Sequence, residues 1–207
     1  MSVHRQNLFG TQISLKKISR VSTMLRRPSL RSNQLKMPRR FAVMNMPTQD
    51  MALTSYTYVH PTDAESAYVT VGEGRDAYVY RCCPHTEVPV GKIAMNAIQR
   101  RMCRVFSGDV ISVENFHFTF KPYDINALTV TVEWVKASDS ATPKDLTEIA
   151  NTFRTQFDGH VVSKGQKVTM MYGDKMLLVT IKSDIKGLIT MRTEVGVEFF
   201  EPDVDAK

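Results

Sequence analysis

The stretch from Thr142 to Lys182 limits the possible folds more than any other part of the chain. It reads as one amphipathic helix, a glycine stop, and two strands joined by a tight turn. In TPKDLTEIANTFRTQFDG, Thr142 suits the N-cap and Pro143 the first helical position, while Asp145 falls in the first turn, where a negative charge meets the helix dipole favourably. Leu146, Ile149, Ala150, Phe153 and Phe157 then recur at spacings of three and four, which puts them on one stripe. Gly159 supplies the stop. Val161 and Val162 begin an extended run, Ser163-Lys164-Gly165 reads as a turn, and Lys167 to Tyr172 reads as a strand. Gly173-Asp174 fits a two-residue hairpin with Lys175 to Lys182 returning. A helix packed on antiparallel strands is an α+β unit.

Upstream the pattern is different. Ala52 to Val59, Ala67 to Val71, Ala77 to Arg81, Val88 to Met95 and Val110 to Phe116 are short β-like runs separated by turn residues, as expected of a small barrel or sandwich. Asn96 to Val105 interrupts them as a short helix or turn carrying a basic knuckle of Arg100, Arg101 and Arg104. Such a knuckle is a solvated positive surface or a patch for an acidic partner. The polar segment Thr119 to Asn126 reads as a joint. Ala127 to Lys136 follows as an alternating strand, with Leu128, Val130, Val132 and Trp134 on one face. These signals place a basic extension at 1–48, a β-barrel lobe at 49–118, a linker at 119–126 and an α+β lobe at 127–207.

Charge supports that division. Residues 1–48 hold ten of the 27 basic residues and none of the 21 acids, which leaves 17 basic against 21 acidic side chains elsewhere, a net of −4. The overall +6 therefore belongs to the extension, and the body is mildly acidic. The extension's composition, rich in Ser and Arg and free of acids, suits a mitochondrial transit peptide, a disordered segment, or a sequence upstream of a start at Met37, Met44 or Met46. It also raises a nucleic-acid or anionic-membrane binder as an alternative class. Arg26-Arg27-Pro28-Ser29 makes Ser29 a candidate phosphorylation site for a basophilic kinase. An apolar content of 43% suffices for real cores, and no apolar run approaches the length of a membrane span. Three cysteines, two of them adjacent, make no disulfide framework and favour a reducing compartment.

Familiar catalytic motifs are missing from the sequence. There is no GxxxxGK[ST], GxGxxG, HExxH or GxSxG, so no catalytic residue is expected. Cys82-Cys83-Pro84-His85 lacks the spacing of a zinc knuckle, so no metal is expected either. Asp203 and Asp205 sit too near the C-terminus for acid-base chemistry, which needs fixed geometry.

Taken in order, VPVGKIAMNAIQRRM, FSGDVISVENF, LTVTVEWVK, ANTFRTQF, VSKGQKV and GDKMLLVTIK resemble the amino-terminal domain of the N-ethylmaleimide-sensitive factor, the AAA+ ATPase that disassembles SNARE complexes. The resemblance begins near Pro47-Thr48 and ends at VGVEFFE. It implies a double-psi β-barrel lobe followed by an α/β-roll lobe, with a groove between them. It also implies a domain that is not catalytic and needs no cofactor, ATP and Mg being expected only in downstream ATPase domains, which would also hold the hexamer. The expected partner is the SNAP adaptor and, through it, SNARE complexes in vesicle transport, with a cytoplasmic location peripheral at membranes. Gln99, Arg100 and Arg101 match the family's glutamine and basic pair implicated in gripping the adaptor. Lys136 lies close to its second basic cluster, although Ala137-Ser138-Asp139 stand where adjacent lysines are expected. Arg104 joins the expected partner-binding set by proximity. A valosin-containing-type ATPase domain, which recruits ubiquitin-linked cofactors on the same two-lobe plan, is the related alternative.

Overall fold

The computed structural model describes residues 38–74, 77–118, 123–136 and 145–200, all within one compact unit, Lys36–Lys207. Ser29, the cap at Thr142-Pro143 and the aspartates Asp203 and Asp205 lie outside the described residues.

The described chain is mostly β with few helices. Its first lobe is a closed barrel of β1 (Arg39–Met44), β2 (Thr57–Val59), β3 (Tyr68–Val71), β4 (Tyr78–Pro84), β5 (Lys92–Ala94) and β6 (Val110–Asn115), in the spatial order β1-β5-β2-β4-β3-β6. β1 runs parallel to β5 and β2 parallel to β4, while the other pairs are antiparallel. Alternate residues of each strand point inward, so Phe41, Val43, Val69, Val71, Ile111 and Val113 meet in one core with Ile93 and Met95. Closure leaves no unpaired edge.

Two sequence expectations change here. The barrel begins at Arg39, ten residues before the boundary expected from charge. Arg39 forms ion pairs with Asp63 at 2.6 Å and Glu65 at 3.2 Å and lies over the Phe41 ring, so a residue counted with the basic extension is part of the barrel wall. The run Ala52 to Val59 is also not one strand. Thr48 caps a single-turn helix, α1 (Gln49–Ala52), by accepting from Met51 N, and β2 starts only at Thr57.

The second lobe contains a four-stranded sheet in the order β12-β7-β10-β9, built from β7 (Ala127–Trp134), β9 (Lys167–Tyr172), β10 (Lys175–Ile181) and β12 (Glu194–Phe199), and a two-stranded ribbon of β8 (Val161–Ser163) and β11 (Lys186–Leu188). β9 and β10 form the hairpin expected at Gly173-Asp174, with Tyr172 opposite Lys175. Helix α3 (Leu146–Gln156) packs on β9 and β12. Its N-cap is Asp145, whose carboxylate accepts from Thr147 N at 2.8 Å and Glu148 N at 3.1 Å. Ile149, Phe153 and Phe157 are buried in the core with Val130, Val132, Met170 and Leu177. Gly159 ends the helix segment at φ +75°, a conformation that favours glycine. The second half of the expected linker belongs to this lobe: Ile125 lies in its core, and Asp124 bridges to Leu188.

Candidate functional site: the groove between the lobes

The knuckle is helix α2 (Ala97–Met102), and its start and stop are both fixed by side-chain chemistry. Asn96 Oδ1 accepts from Gln99 N while Gln99 Oε1 accepts from Asn96 N, each at 2.9 Å, which completes a capping box. Gln99 Nε2 also donates to the carbonyls of Ser55 and Tyr56, each at 3.0 Å. At 3% exposure Gln99 presents nothing to a partner, so the contact role expected from the family match is corrected to a positioning role. The helix stops in a Schellman turn: Val105 N donates to Arg100 O at 2.9 Å and Arg104 N to Arg101 O at 3.2 Å. Arg104 sits at the position glycine usually takes and has φ +54°, the only positive φ of a non-glycine among the described residues.

The knuckle arginines therefore differ in role. Arg100 is half-buried, and its Nη1 donates to the Met95 carbonyl at 2.7 Å, which ties the side chain back onto the barrel. Arg101 is exposed and lines a groove of about 520 Å³ between the lobes. Leu53, Ala97 and Ile98 form the barrel wall of that groove, and Trp134, Val135, Met176 and Leu178 form the sheet wall. Lys136 is exposed immediately after Val135, so the structure brings the end of β7 to the same groove as α2. Lys175 Nζ lies 5.3 Å from the centre of the Trp134 ring. Glu133, the one acid lining the groove, is 4.0 Å from Lys167. The lining is largely apolar, with Arg101 as its one base and Glu133 as its one acid. Trp134 was not among the expected contacts because nothing in its local sequence reveals that β7 ends beside α2.

The lobes are joined firmly next to the groove. Tyr68 Oη donates to the Gly159 carbonyl at 2.7 Å, and the Tyr56 and His160 rings stack with centroids 5.1 Å apart and planes 7° from parallel. The Arg81 guanidinium lies 5.4 Å from the centre of the Tyr56 ring. Burial pushes the His160 pKa down to about 4, and the nearby Arg81 charge acts in the same direction. The backbone carbonyls of Asp158 and Phe157 act in the opposite direction without cancelling the shift.

Cys82 is buried in the barrel core, with its thiol pushed up to about 11 by burial, and no group of three or more potential metal-ligating side chains occurs among the described residues. No helix among them is long and apolar enough to cross a membrane.

No protein-family model matches the chain. It is 30% identical over 151 residues to Vesicle-fusing ATPase of Arabidopsis thaliana, covering 70% of this chain and 20% of that protein. It is 24% identical over 153 residues to Vesicle-fusing ATPase of Caenorhabditis elegans, covering 72% of this chain and 18% of that protein. The chain thus corresponds to about a fifth of the length of these curated relatives.

Proposed function

Given that the folded body is an NSF-like amino-terminal domain homologous to part of the vesicle-fusing ATPases, we propose that it is the non-catalytic recruiting domain of a vesicle-fusion ATPase and receives the SNAP adaptor on the interlobe groove. The observation that carries this reading is that exposed Arg101 of α2 and the end of β7, followed by exposed Lys136, meet at one largely apolar groove in a body that is otherwise mildly acidic. Local potential, not net charge, steers an encounter, so exposed Arg101 and Lys136 attract an acidic adaptor face. Each exposed pair contributes only about 0–1 kcal/mol, so a firm grip needs several pairs or several copies engaged together. We read the barrel as double-psi and the second lobe as an α/β roll; the parallel pairs β1/β5 and β2/β4 within a closed barrel support the former. Cytoplasmic action at membrane surfaces, through SNARE complexes, follows from the same reading.

A pull-down with recombinant SNAP adaptor tests it. Arg101→Glu combined with Lys136→Glu should weaken binding at least about tenfold, and rising salt should weaken the wild-type complex. Unchanged binding by the double variant would remove the groove from consideration. Arg100→Ala should act chiefly through stability, because its guanidinium is held by Met95.

A further inference from the structure

The four-stranded sheet ends in two edges. On the β9 side Thr169 lines the interlobe groove, and on the other side β12 pairs only with β7. Glu194 N donates to Asn126 O and Phe200 N to Val132 O, each at 2.8 Å. Along a parallel ladder the backbone groups of alternate residues turn the same way, so Glu194, Gly196, Glu198 and Phe200 serve β7, while the N–H and C=O groups of Val195, Val197 and Phe199 point off the outer edge. Among the described residues none of these outward groups has a hydrogen-bond partner. Edge strands commonly carry a proline, a bulge or a lysine that discourages further pairing, and β12, EVGVEF in unbroken register with β7, has none of these.

The side chains define what fits beside this edge. Val195, Val197 and Phe199 pack on the core of the lobe but are only half-buried, so the core is incompletely covered along β12. Glu194, Gly196 and Glu198 stand on the opposite, exposed face. Neither glutamate has an ion-pair partner among the described residues, and the β7 residues beside them, Ala127, Thr129 and Thr131, bring no base. Gly196 answers no steric need, since a Cβ there would make only ordinary contacts with Thr129 and Leu128, at 3.6 Å and beyond. Its bare backbone leaves room for a long side chain to lie between the two glutamates. We propose that the outer edge of β12 accepts an extended segment of a partner polypeptide as a fifth, antiparallel strand whose residues alternate apolar and basic. Its apolar side chains extend the core beside Val195, Val197 and Phe199. Its basic side chains stand opposite Glu194, Gly196 and Glu198, the middle one diagonal to both carboxylates. A second copy of β12 fits poorly, because antiparallel self-pairing gathers the glutamates of both copies on one face. The edge lies across the sheet from β9 and uses neither Arg101 nor Lys136, so failure of this inference or of the adaptor reading leaves the other in place.

The test titrates a capped heptapeptide, TRVRVRT, into the isotope-labelled 207-residue chain and follows amide hydrogen exchange by NMR. TEVEVET and a TRVRVRT methylated on the backbone nitrogens of its valines serve as controls. Without peptide the amides of Val195, Val197 and Phe199 should exchange quickly and those of Gly196 and Glu198, bonded to β7, slowly. TRVRVRT should slow the first three saturably. TEVEVET should bind at least about fivefold more weakly, because attractive pairs are replaced by like charges. The methylated peptide should not bind, because the donors it would turn to β12 are gone. Val197→Pro removes one outward N–H and spares the ladder to β7, as proline is tolerated on the outer side of an edge strand, and it should abolish binding. Glu194→Lys combined with Glu198→Lys should reverse the preference in favour of TEVEVET, and this variant decides the matter should Val197→Pro fail to fold. Slow exchange of the three amides in the peptide-free chain at every concentration would mark the edge as covered by the chain itself, and protection that rises with protein concentration would mark a second copy. Either result, or equal binding of TRVRVRT and TEVEVET, would overturn the proposal.

Discussion

Replacing Gln99 with alanine separates a positioning residue from a contact residue. The side chain makes three hydrogen bonds, to Asn96 N and to the carbonyls of Ser55 and Tyr56, and all three would be lost. At about 0.5–1.5 kcal/mol each, the loss should be roughly 2–4 kcal/mol, a large share of a domain's typical stability of about 5–15 kcal/mol. The assay is urea unfolding followed by fluorescence of the single tryptophan, Trp134, which lies on the groove wall. The midpoint should fall with little change in the slope. Gln99→Glu refines the test. It keeps the acceptor for Asn96 N but presents a carboxylate to two carbonyl oxygens at neutral pH. Its deficit relative to wild type should therefore shrink on acidification, as the carboxyl gains a proton and recovers a donor. A Gln99→Ala cost below about 1 kcal/mol together with weakened adaptor binding would refute the reasoning, because it would make Gln99 a surface contact after all.

Other consequences are open to direct measurement. The folded pKa of His160 is about 4, below the ordinary 6.5, so the unfolded chain takes up a proton that the folded chain refuses as pH falls between those values. Stability should drop by on the order of 2–3 kcal/mol across that window, and His160→Phe should remove this component; parallel stability-versus-pH curves for the two proteins would contradict it. Arg104→Gly relieves a left-handed residue at the end of α2 and should raise stability by about 1 kcal/mol, less whatever the arginine side chain contributes through its own contacts. In Gly187→Ala the new Cβ would lie 2.6 Å from the Tyr123 carbonyl and 2.8 Å from Ile125 Cγ1, a clash with backbone that should cost about 1–3 kcal/mol, measurable as a lower melting temperature.

The two lobes differed in how much their sequences revealed. From Leu146 to Ile181 the periodicities and turn signals are local, so the helix, the glycine stop and the hairpin at Gly173 could be read without knowing what they pack against. The barrel was harder, because its closure depends on long-range pairing. β1 was hidden by Arg39 and Arg40, which look like more of the basic extension until Asp63 and Glu65 approach Arg39 across the barrel. β5 is only three residues long and is recognisable mainly through its partners β1 and β2.

The same distinction applies to the candidate site. The sequence alone determined that a basic knuckle follows a barrel strand and that an α+β lobe comes after it, because helix caps, hydrophobic period and charge clustering are properties of neighbouring residues. Only the tertiary structure decided which knuckle residues face outward. Gln99 turns inward to hold the Ser55-Tyr56 backbone, Arg100 is tied to Met95, and Arg101 reaches the groove. It also decided that the end of β7 stands beside α2, and that Ser55 and His160, more than a hundred positions apart in the chain, line one cavity. These arrangements arise where two separately folded surfaces meet, and the geometry of that meeting is written in packing across the lobes and not in the order of residues within either.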